Sequence, residues 1–266
     1  MFRQRAFVRR PGPALTRCSL CTDPASPAAL HRCGGAFDPT LALDQWESYV
    51  DALHECGWET YELPHVQGHN CCPFVESDAV AYDRLFIVTR PRQREAQSGQ
   101  YSIAAAAEAR GFDVLWIDDA AYLDGMDVLK FGGHMWIGLT ENTDSAGANQ
   151  LAAHLRAYGV RAHLVPCKPA TYLKNVMTAL PDGSLLVYRP LLGRLETHAS
   201  VVAAPEPTGA RVMLLGGNRV MMGASAPRTA EMLRRRGYDV LTVDISEFEK
   251  IGAGPTCLSI RMRADS

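Results

Sequence analysis

The 266-residue chain lacks the features that mark several broad classes of protein. It has no apolar run near the roughly 18 residues of a membrane-spanning helix, so no such helix is expected. Its basic first residues, MFRQRAFVRR, are not followed by the apolar segment of an export signal, which predicts a cytoplasmic protein. It also lacks an excess of either charge, with 27 Lys and Arg against 29 Asp and Glu, which argues against a nucleic-acid partner.

The composition is that of a folded globular protein. Hydrophobic residues make up 47% and charged residues 21% of the chain, whereas disordered chains are poorer in apolar residues and more uneven in charge. Because the chain is large and has no export signal, we expect its eight cysteines to be reduced. They must then serve packing, metal binding or catalysis.

One structural unit recurs along most of the chain: a hairpin of two strands, a helix and a third strand. The hairpin turns are predicted at Asp83, at Gly132-Gly133, at Pro181-Asp182-Gly183 and at Gly216-Gly217. A fifth unit is completed only by joining the two termini. Its strands are 258–262, 6–9 and 58–63, and its helix is 41–56.

Similar units at regular spacing predict a closed radial array, because stacked repeats bury sheet faces that no single unit buries alone. Pairing of the two termini closes the ring without end caps. An ordinary open α/β sheet is the alternative. No linker divides the chain, so a single domain over 1–266 is predicted, with a Cys/His-containing insertion at about 15–36.

In such a ring, residues just before each first strand lie at one end and face one another across the axis. Four segments hold this position: 70–77, 123–127, 171–174 and 252–257. Three of them carry cysteines or carboxylates, and this convergence predicts a functional site.

The converging residues are suited to covalent and proton-transfer chemistry. Cys257 is a candidate nucleophile as a thiolate, and a buried structural thiol is the alternative. Asp124 and Asp127 are candidates for orienting a substrate nitrogen or exchanging protons, although Asp beside Gly125 also forms turns. Glu76 is a candidate partner for a cationic group, or else a solvated loop acid.

Short motifs spread along nearly the whole chain, except for about 15–36, resemble one known family. They are FVRRPG (7–12), QWESYVDAL (45–53), PFVE (73–76), TRP (89–91), LDGMDVLKFG (123–132), TALPDG (178–183), LLGGNRVMMGASAPRTAE (214–231), DISEFEK (244–250) and TCLSIR (256–261). The chain resembles the dimethylarginine dimethylaminohydrolases, which belong with the arginine deiminases and amidinotransferases to a guanidino-group-modifying superfamily. The resemblance implies an α/β fold, a five-bladed pseudo-symmetric propeller (pentein) of ββαβ units with a central site.

The resemblance also implies roles for three residues. In that family the cysteine of the TCLS-like segment attacks the guanidinium carbon and forms a covalent thiouronium, and Cys257 matches it. Asp124 matches the carboxylate that binds guanidino nitrogens, and Glu76 matches an acid near the substrate. The implied mechanism requires no cofactor.

The chain departs from the family pattern within the site. Tyr172 stands where the family has a histidine as general acid/base, and we treat it as a catalytic candidate. Cys71 and Ser77 replace two aspartates in the segment that also holds Phe74. Asn142 replaces an arginine that binds the substrate carboxylate. The candidate substrate-binding residues are Cys71, Phe74, Glu76, Ser77, Asp127 and Asn142.

These departures make efficient methylarginine hydrolysis unexpected. A positioned acid/base contributes about 10²–10⁴ in rate, and a tyrosine with a pKa near 10 does not exchange protons readily at neutral pH. The sequence therefore predicts covalent catalysis by Cys257 on a C–N bond of a different, less cationic amino-acid-derived small molecule. A catalytically silent binding or partner protein is the alternative, and a homodimer is left open.

A metal-binding protein is a third hypothesis. Cys18, Cys21, His31 and Cys33 fall within the insertion, and thiolate and imidazole pairs at short spacing suit zinc or another soft metal. A second set, at the mouth of the predicted site, is formed by His65, His69, Cys71 and Cys72. Metal analysis of freshly isolated protein tests both sets.

Overall fold

Five small sheets form the framework of the chain. The computed structural model describes residues 4–12, 15, 37–66, 73–92, 99–167, 170–192, 195 and 197–262, and the sheets have three strands each. The strands are β1 (Arg5–Val8), β2 (Glu59–Glu62), β3 (Ala79–Tyr82), β4 (Leu85–Val88), β5 (Asp113–Trp116), β6 (Val128–Phe131), β7 (His134–Leu139), β8 (Arg161–Pro166), β9 (Met177–Ala179), β10 (Leu185–Val187), β11 (Val201–Ala203), β12 (Met213–Gly216), β13 (Arg219–Gly223), β14 (Asp239–Val243) and β15 (Ile260–Met262).

All five sheets share one strand order. An inner strand pairs antiparallel with a middle strand, which pairs parallel with an outer strand. In blade 2, formed by β3, β4 and β5, Ala79 lies opposite Val88 and Leu85 lies opposite Asp113. Its hairpin turns at Asp83, as predicted, with a φ of 50°. Blades 3, 4 and 5 follow along the chain as β6–β8, β9–β11 and β12–β14.

The two ends of the described chain close the ring in blade 1. Inner strand β15 pairs antiparallel with β1, with Phe7 opposite Ile260, and β1 pairs parallel with β2. The predicted five-bladed pseudo-symmetric propeller is therefore confirmed.

Five buried apolar clusters fill the interfaces between neighbouring blades. On β3, Ala79 and Ala81 pack towards blade 1, while Val80 packs towards blade 3. Successive side chains of a strand point to opposite faces, so a strand buried on both faces must be apolar throughout. The same alternation recurs around the ring, and the fifth cluster joins blade 5 to blade 1. This explains the continuous apolar runs in the sequence.

Helices connect the middle and outer strands in four blades. They are α1 (Pro39–Glu55), α2 (Gln100–Glu108), α3 (Ser145–Leu155) and α4 (Pro227–Arg235), with a short α5 (Ser246–Glu249) after β14. Helix α1 begins two residues before the predicted start, because Asp38 accepts hydrogen bonds from the amides of Thr40 and Leu41 at 2.9 and 3.2 Å. None of these helices in the described part of the chain is long and apolar enough to cross a membrane.

Blade 4 departs from the predicted unit. Between β10 and β11 the described residues contain only the short 3₁₀ turn Arg189–Leu191 and no α-helix. Pro190, which has no backbone N–H donor, lies within this turn.

Five 3₁₀ turns, one before each inner strand, lie at the same end of the ring. They are Val75–Asp78, Gly125–Asp127, Leu173–Asn175, Pro207–Ala210 and Pro255–Leu258. Turns of adjacent blades contact one another. The described parts of the four segments predicted to converge therefore do so, and the turn of blade 5 adds a fifth.

Candidate active site

The Cys257 thiol lies in the hub of the ring. Its side chain is 1% exposed and shares an apolar cluster with Phe74, Met126 and Tyr172, which come from three different blades. The amide of Gly254 donates a hydrogen bond of 3.2 Å to the sulfur. The turn Pro255–Leu258 thus presents the sulfur to the centre of the ring.

Burial raises the pKa of the Cys257 thiol to about 11. The negative charge of Glu76 acts in the same direction, whereas the Gly254 amide and the cations of Arg211 and Lys174 oppose it. Because the thiolate is the reactive form, a cation placed beside the sulfur activates it. In this state the thiol is largely protonated at neutral pH.

Glu76 is clamped by two cations from two other blades. Its Oε1 accepts hydrogen bonds from Lys174 Nζ at 2.8 Å and from Arg261 Nη2 at 2.5 Å. Lys174 also donates to the carbonyl of Gly125, and burial lowers its pKa while Glu76 opposes that shift. Oε2 is buried and has no hydrogen-bond partner among the described residues. One oxygen of Glu76 therefore holds the blades together, and the other is left for a further donor.

Asp124 and Asp127 are buried side by side but differ in their contacts. Asp127 accepts hydrogen bonds from the hydroxyls of Thr140 and Thr143, both at 2.7 Å, and from the amide of Leu173 at 2.9 Å. Burial raises its pKa to about 7. Both carboxylate oxygens of Asp127 thus accept hydrogen bonds from the protein, and one of them holds the turn that begins at Leu173. The predicted contact of Asp127 with substrate stays a prediction.

Asp124 has a pKa well above its ordinary value, first because of burial and second because of the Asp127 charge. A hydrogen bond from the amide of Met126, at 2.8 Å, and one with Ser77 oppose that rise. Ser77 therefore pairs with Asp124 in this site. Such a carboxyl group is suited to binding a nitrogen donor, and it exchanges its proton at a higher pH than an ordinary aspartate does.

Tyr172 lies near the thiol and close enough to Asp124 and Asp127 for their charges to act on its hydroxyl group. Its side chain is 5% exposed, and its pKa is well above the usual value, because of burial and then because of the charges of Asp124, Asp127 and Cys257. The phenol therefore stays protonated at any physiological pH. It is able to donate a hydrogen bond or a proton, but it does not act as a base.

The remaining predicted residues make contacts of different kinds. Phe74 packs edge-on against Phe248 with ring centroids 6.3 Å apart. Asn142 donates to the carbonyl of Thr171 at 3.3 Å, next to Tyr172. Cys71 lies outside the described residues, as do the proposed metal ligands Cys18, Cys21, His31 and Cys33 and the second-set residues His69 and Cys72. The metal hypothesis thus remains a prediction.

Arg211 is a site residue that the sequence analysis missed. It lies directly after the turn of blade 5, is 2% exposed and donates from Nη1 to the carbonyl of Ala253 at 2.9 Å. Ala253 precedes Gly254, whose amide contacts the sulfur. Arg211 therefore positions the loop and opposes the effect of burial on the thiol. The signal that leads to this segment is the pseudo-symmetry of the ring, because the turn before β12 occupies the position equivalent to the four predicted segments.

Replacing Arg211 with methionine is expected to raise the pKa of Cys257 further, because the nearby positive charge is lost. Each unit of increase lowers the thiolate fraction, and hence the alkylation rate at pH 9, by about tenfold. The measurement is iodoacetamide labelling of Cys257 followed by peptide mass spectrometry. Arg211→Lys keeps the charge and should label at a rate between the two. Equal rates for Arg211→Met and wild type would contradict the assignment.

Replacing Glu76 with glutamine should have the opposite effect on the thiol, because the Glu76 charge raises the pKa of Cys257. We expect faster labelling of Cys257 in Glu76→Gln than in wild type. The same change leaves Lys174 and Arg261 without a counter-ion, which typically costs about 3–5 kcal/mol of unfolding free energy for a buried pair. Urea unfolding measures this loss, and the double variant Glu76→Gln/Lys174→Met should recover part of it. An unchanged unfolding midpoint would contradict the clamp.

Comparison with known proteins shows which family the chain belongs to. No family model matches the chain. The N(G),N(G)-dimethylarginine dimethylaminohydrolase of Streptomyces coelicolor is 38% identical over 260 residues, which cover 98% of this chain and 97% of that protein. The chain belongs to the dimethylarginine dimethylaminohydrolase family. The enzyme of the same name from Pseudomonas aeruginosa is 30% identical over 231 residues, covering 85% of this chain and 91% of its own.

Solved structures of the dimethylarginine dimethylaminohydrolase family share the propeller. A variant of the Pseudomonas aeruginosa enzyme in complex with citrulline has a TM-score of 0.84 at 26% identity, with 98% of this chain and 100% of that chain covered. A family member as its adduct with S-methyl-L-thiocitrulline gives the same TM-score at 27% identity and the same coverage. The N-terminal domain of the cyanobacterial arginine dihydrolase ArgZ, at 16% identity and a TM-score of 0.82, shows the fold alone.

Proposed function

We propose that the chain is a divergent guanidino-group hydrolase that acts on a C–N bond of a small amino-acid-derived substrate through covalent catalysis by Cys257. The observation that carries the proposal is the environment of the buried Cys257 sulfur. The sulfur accepts a hydrogen bond from the Gly254 amide, and Tyr172 and carboxyl groups of two other blades lie around it. The names of the relatives, which are hydrolases of methylated arginine, support the guanidino or amidine class of substrate.

The proposed reaction has two balanced steps. The thiolate of Cys257 attacks the amidine-type carbon and forms a C–S bond, and the C–N bond to the leaving amine then breaks as that nitrogen takes up a proton. Water adds to the resulting thiouronium, the C–S bond breaks, and the product keeps the new oxygen while the thiol is restored. No cofactor supplies electrons in either step, because neither step is an oxidation or a reduction.

The roles of the neighbours follow from their charges. A bound cationic guanidinium or amidinium lowers the thiol pKa from about 11, since an opposite charge favours the thiolate. Asp124 holds the substrate nitrogens, and because its pKa is raised it binds a proton more readily than an ordinary aspartate. Tyr172 donates a proton or hydrogen bond to the leaving nitrogen, while water provides the base.

The test is amine release from a panel of arginine, Nω-methylated arginines and less cationic amidines derived from amino acids. We expect release from at least one less cationic member, and slow release from methylarginines because Tyr172 replaces the histidine that the resemblance implies. Failure of every member to release amine, together with the absence of any adduct on Cys257, would contradict the proposal.

A catalytically silent binding protein is the second candidate. The observation in its favour is that burial raises the pKa of both Cys257 and Tyr172, so both groups keep their protons at neutral pH. This candidate predicts that a panel member binds with equal affinity to wild type and Cys257→Ala and is recovered unchanged from both.

A further inference from the structure

Glu249 is a buried carboxylate to which the proposed reaction gives no role. It is the last residue of α5, just before the loop that carries Cys257, and its side chain is 3% exposed. The end of this helix holds the start of that loop. The carbonyl of Glu249 accepts a hydrogen bond from the amide of Gly252, and the carbonyl of Phe248 accepts one from the amide of Ala253, both at 3.0 Å. A buried carboxylate is costly unless hydrogen bonds and an opposite charge compensate it, so its partners indicate its role.

Hydroxyl groups connect the Glu249 carboxylate to the turn of blade 5. Ser225 Oγ donates a hydrogen bond to Glu249 Oε1 at 2.7 Å and also forms one with the hydroxyl group of Thr208 at 2.9 Å. Thr208 lies in the turn Pro207–Ala210, and its carbonyl accepts a hydrogen bond from the amide of Arg211 at 3.1 Å. The carboxylate is therefore linked, through two hydroxyl groups, to the turn that Arg211 follows.

Glu249 and Arg211 also interact through their charges. Burial raises the pKa of Glu249, whereas its hydroxyl donor and the positive charge of Arg211 oppose that rise. Two glycines make room for the pair. A Cβ atom at Gly223 would collide with Glu249 Oε1, and one at Gly254 would lie 2.9 Å from Cβ of Arg211. Because both side chains are buried, solvent and salt screen their attraction only weakly.

We propose that Glu249 is a positioning residue of the candidate active site, whose carboxylate offsets the charge of Arg211 and so helps to keep the resting Cys257 thiol protonated. Arg211 donates to the carbonyl of Ala253 at 2.9 Å, next to the Gly254 amide that contacts the sulfur. The positive charge of Arg211 favours the thiolate, and a carboxylate beside the guanidinium reduces that effect. The importance of this control for turnover rests on the proposed function, whereas the state of the thiol does not.

Replacing Glu249 with glutamine removes the charge but keeps the size of the side chain and an oxygen that accepts from Ser225. The full charge of Arg211 then acts on the sulfur. We expect iodoacetamide to label Cys257 of Glu249→Gln at pH 9 at least about threefold faster than in wild type, which corresponds to a fall of about half a unit in the pKa of the thiol. Peptide mass spectrometry measures the labelling rate.

The same substitution in the Arg211→Met background shows whether Glu249 acts through Arg211. Without the guanidinium there is no positive charge for the carboxylate to offset, so Glu249→Gln/Arg211→Met should be labelled at the same rate as Arg211→Met. A local loosening of the fold, or a direct effect of the Glu249 charge on the sulfur, would instead speed labelling equally in both backgrounds and overturn the proposal. The double variant leaves neither member of the pair as an uncompensated buried charge. The comparison therefore decides the point without depending on the folding of Glu249→Gln alone.

Glu247→Gln is the matched control. Glu247 is a buried carboxylate on the same helix, but it pairs with Lys250 Nζ at 2.6 Å and accepts a hydrogen bond from the amide of Asp38 at 2.9 Å. The control should be labelled at pH 9 like wild type. Equal labelling of Glu249→Gln and wild type would overturn the proposal. Equal acceleration in Glu247→Gln and Glu249→Gln would also overturn it.

Labelling separates this inference from the proposed function, because it requires no substrate. Equal labelling of Glu249→Gln and wild type, in a protein that turns over an amidine, overturns the role of Glu249 and leaves the proposed function intact. Faster labelling of Glu249→Gln that depends on Arg211, in a protein that turns over no member of the substrate panel, supports the role of Glu249 and contradicts the proposed function alone.

Discussion

Replacing Tyr172 with histidine is expected to raise the turnover of cationic guanidino substrates by about 10²–10⁴, the contribution of a positioned acid/base. The phenol of Tyr172 has a pKa well above its usual value and keeps its proton, whereas an imidazole has an ordinary pKa near 6.5. The neighbouring charges of Asp124 and Asp127 favour the protonated imidazole, and burial opposes it. The new side chain is therefore able to give and take protons near neutral pH.

The measurement is kcat and KM for arginine and Nω-methylarginine as a function of pH. Because Ser77 and Asn142 are unchanged, KM should stay high while kcat rises, and the Tyr172→His profile should become bell-shaped. Tyr172→Phe is the matched control, since it keeps the ring and removes the hydroxyl group. A Tyr172→His kcat equal to that of wild type at saturating substrate would show that acid/base chemistry is not what limits this site.

Replacing Cys257 with alanine is expected to abolish turnover on any substrate that the wild type processes. Removal of a catalytic nucleophile leaves only binding and polar stabilisation, and losses of about 10⁴–10⁶ in kcat are typical of such changes. The side chain is buried and small, so the fold should be retained with a modest change in the thermal midpoint. Amine release under single-turnover conditions measures the loss.

Cys167→Ala serves as the matched control for Cys257→Ala. Cys167 is also a buried thiol, and burial raises its pKa to about 12, but it lies in the interface between blades 3 and 4. Its replacement should leave kcat unchanged. Equal activity of wild type and Cys257→Ala would instead favour a non-covalent mechanism or the silent binding protein.

Local signals in the sequence were sufficient to predict the ring. Turn residues such as Asp83 and the glycine pair Gly216-Gly217 mark hairpins, and apolar runs on both faces mark strands that pack on two sides. Pairing of β15 with β1 was predictable because the two terminal segments each lacked a partner within their own unit. The described residues between β10 and β11 contain no α-helix, and the repeated unit did not anticipate this difference of blade 4.

The charge network of the site was beyond local reasoning. Glu76, Lys174 and Arg261 come from three different blades, and no sequence spacing shows that two cations share one carboxylate oxygen. The same holds for Arg211, whose role depends on the loop that it holds rather than on a motif. By contrast, the place of Cys257 at the hub was predictable, because it precedes the strand that closes the ring, whereas its role as a nucleophile stays a prediction. The convergence of the turns follows from the symmetry of the ring. Which charged groups pair depends on how far the side chains of one blade extend across the axis to those of another.

The most direct test of the covalent mechanism is acid quenching of wild-type protein during turnover of an active amidine, followed by peptide mass mapping. We predict a mass increase equal to the substrate minus its leaving amine, confined to the peptide that contains Cys257 and absent from the peptides of Cys56 and Cys167. The adduct should disappear once the substrate is exhausted. Turnover of the amidine with an unmodified Cys257 peptide at every quench time, in a protein whose Cys257→Ala variant remains active, would contradict the mechanism.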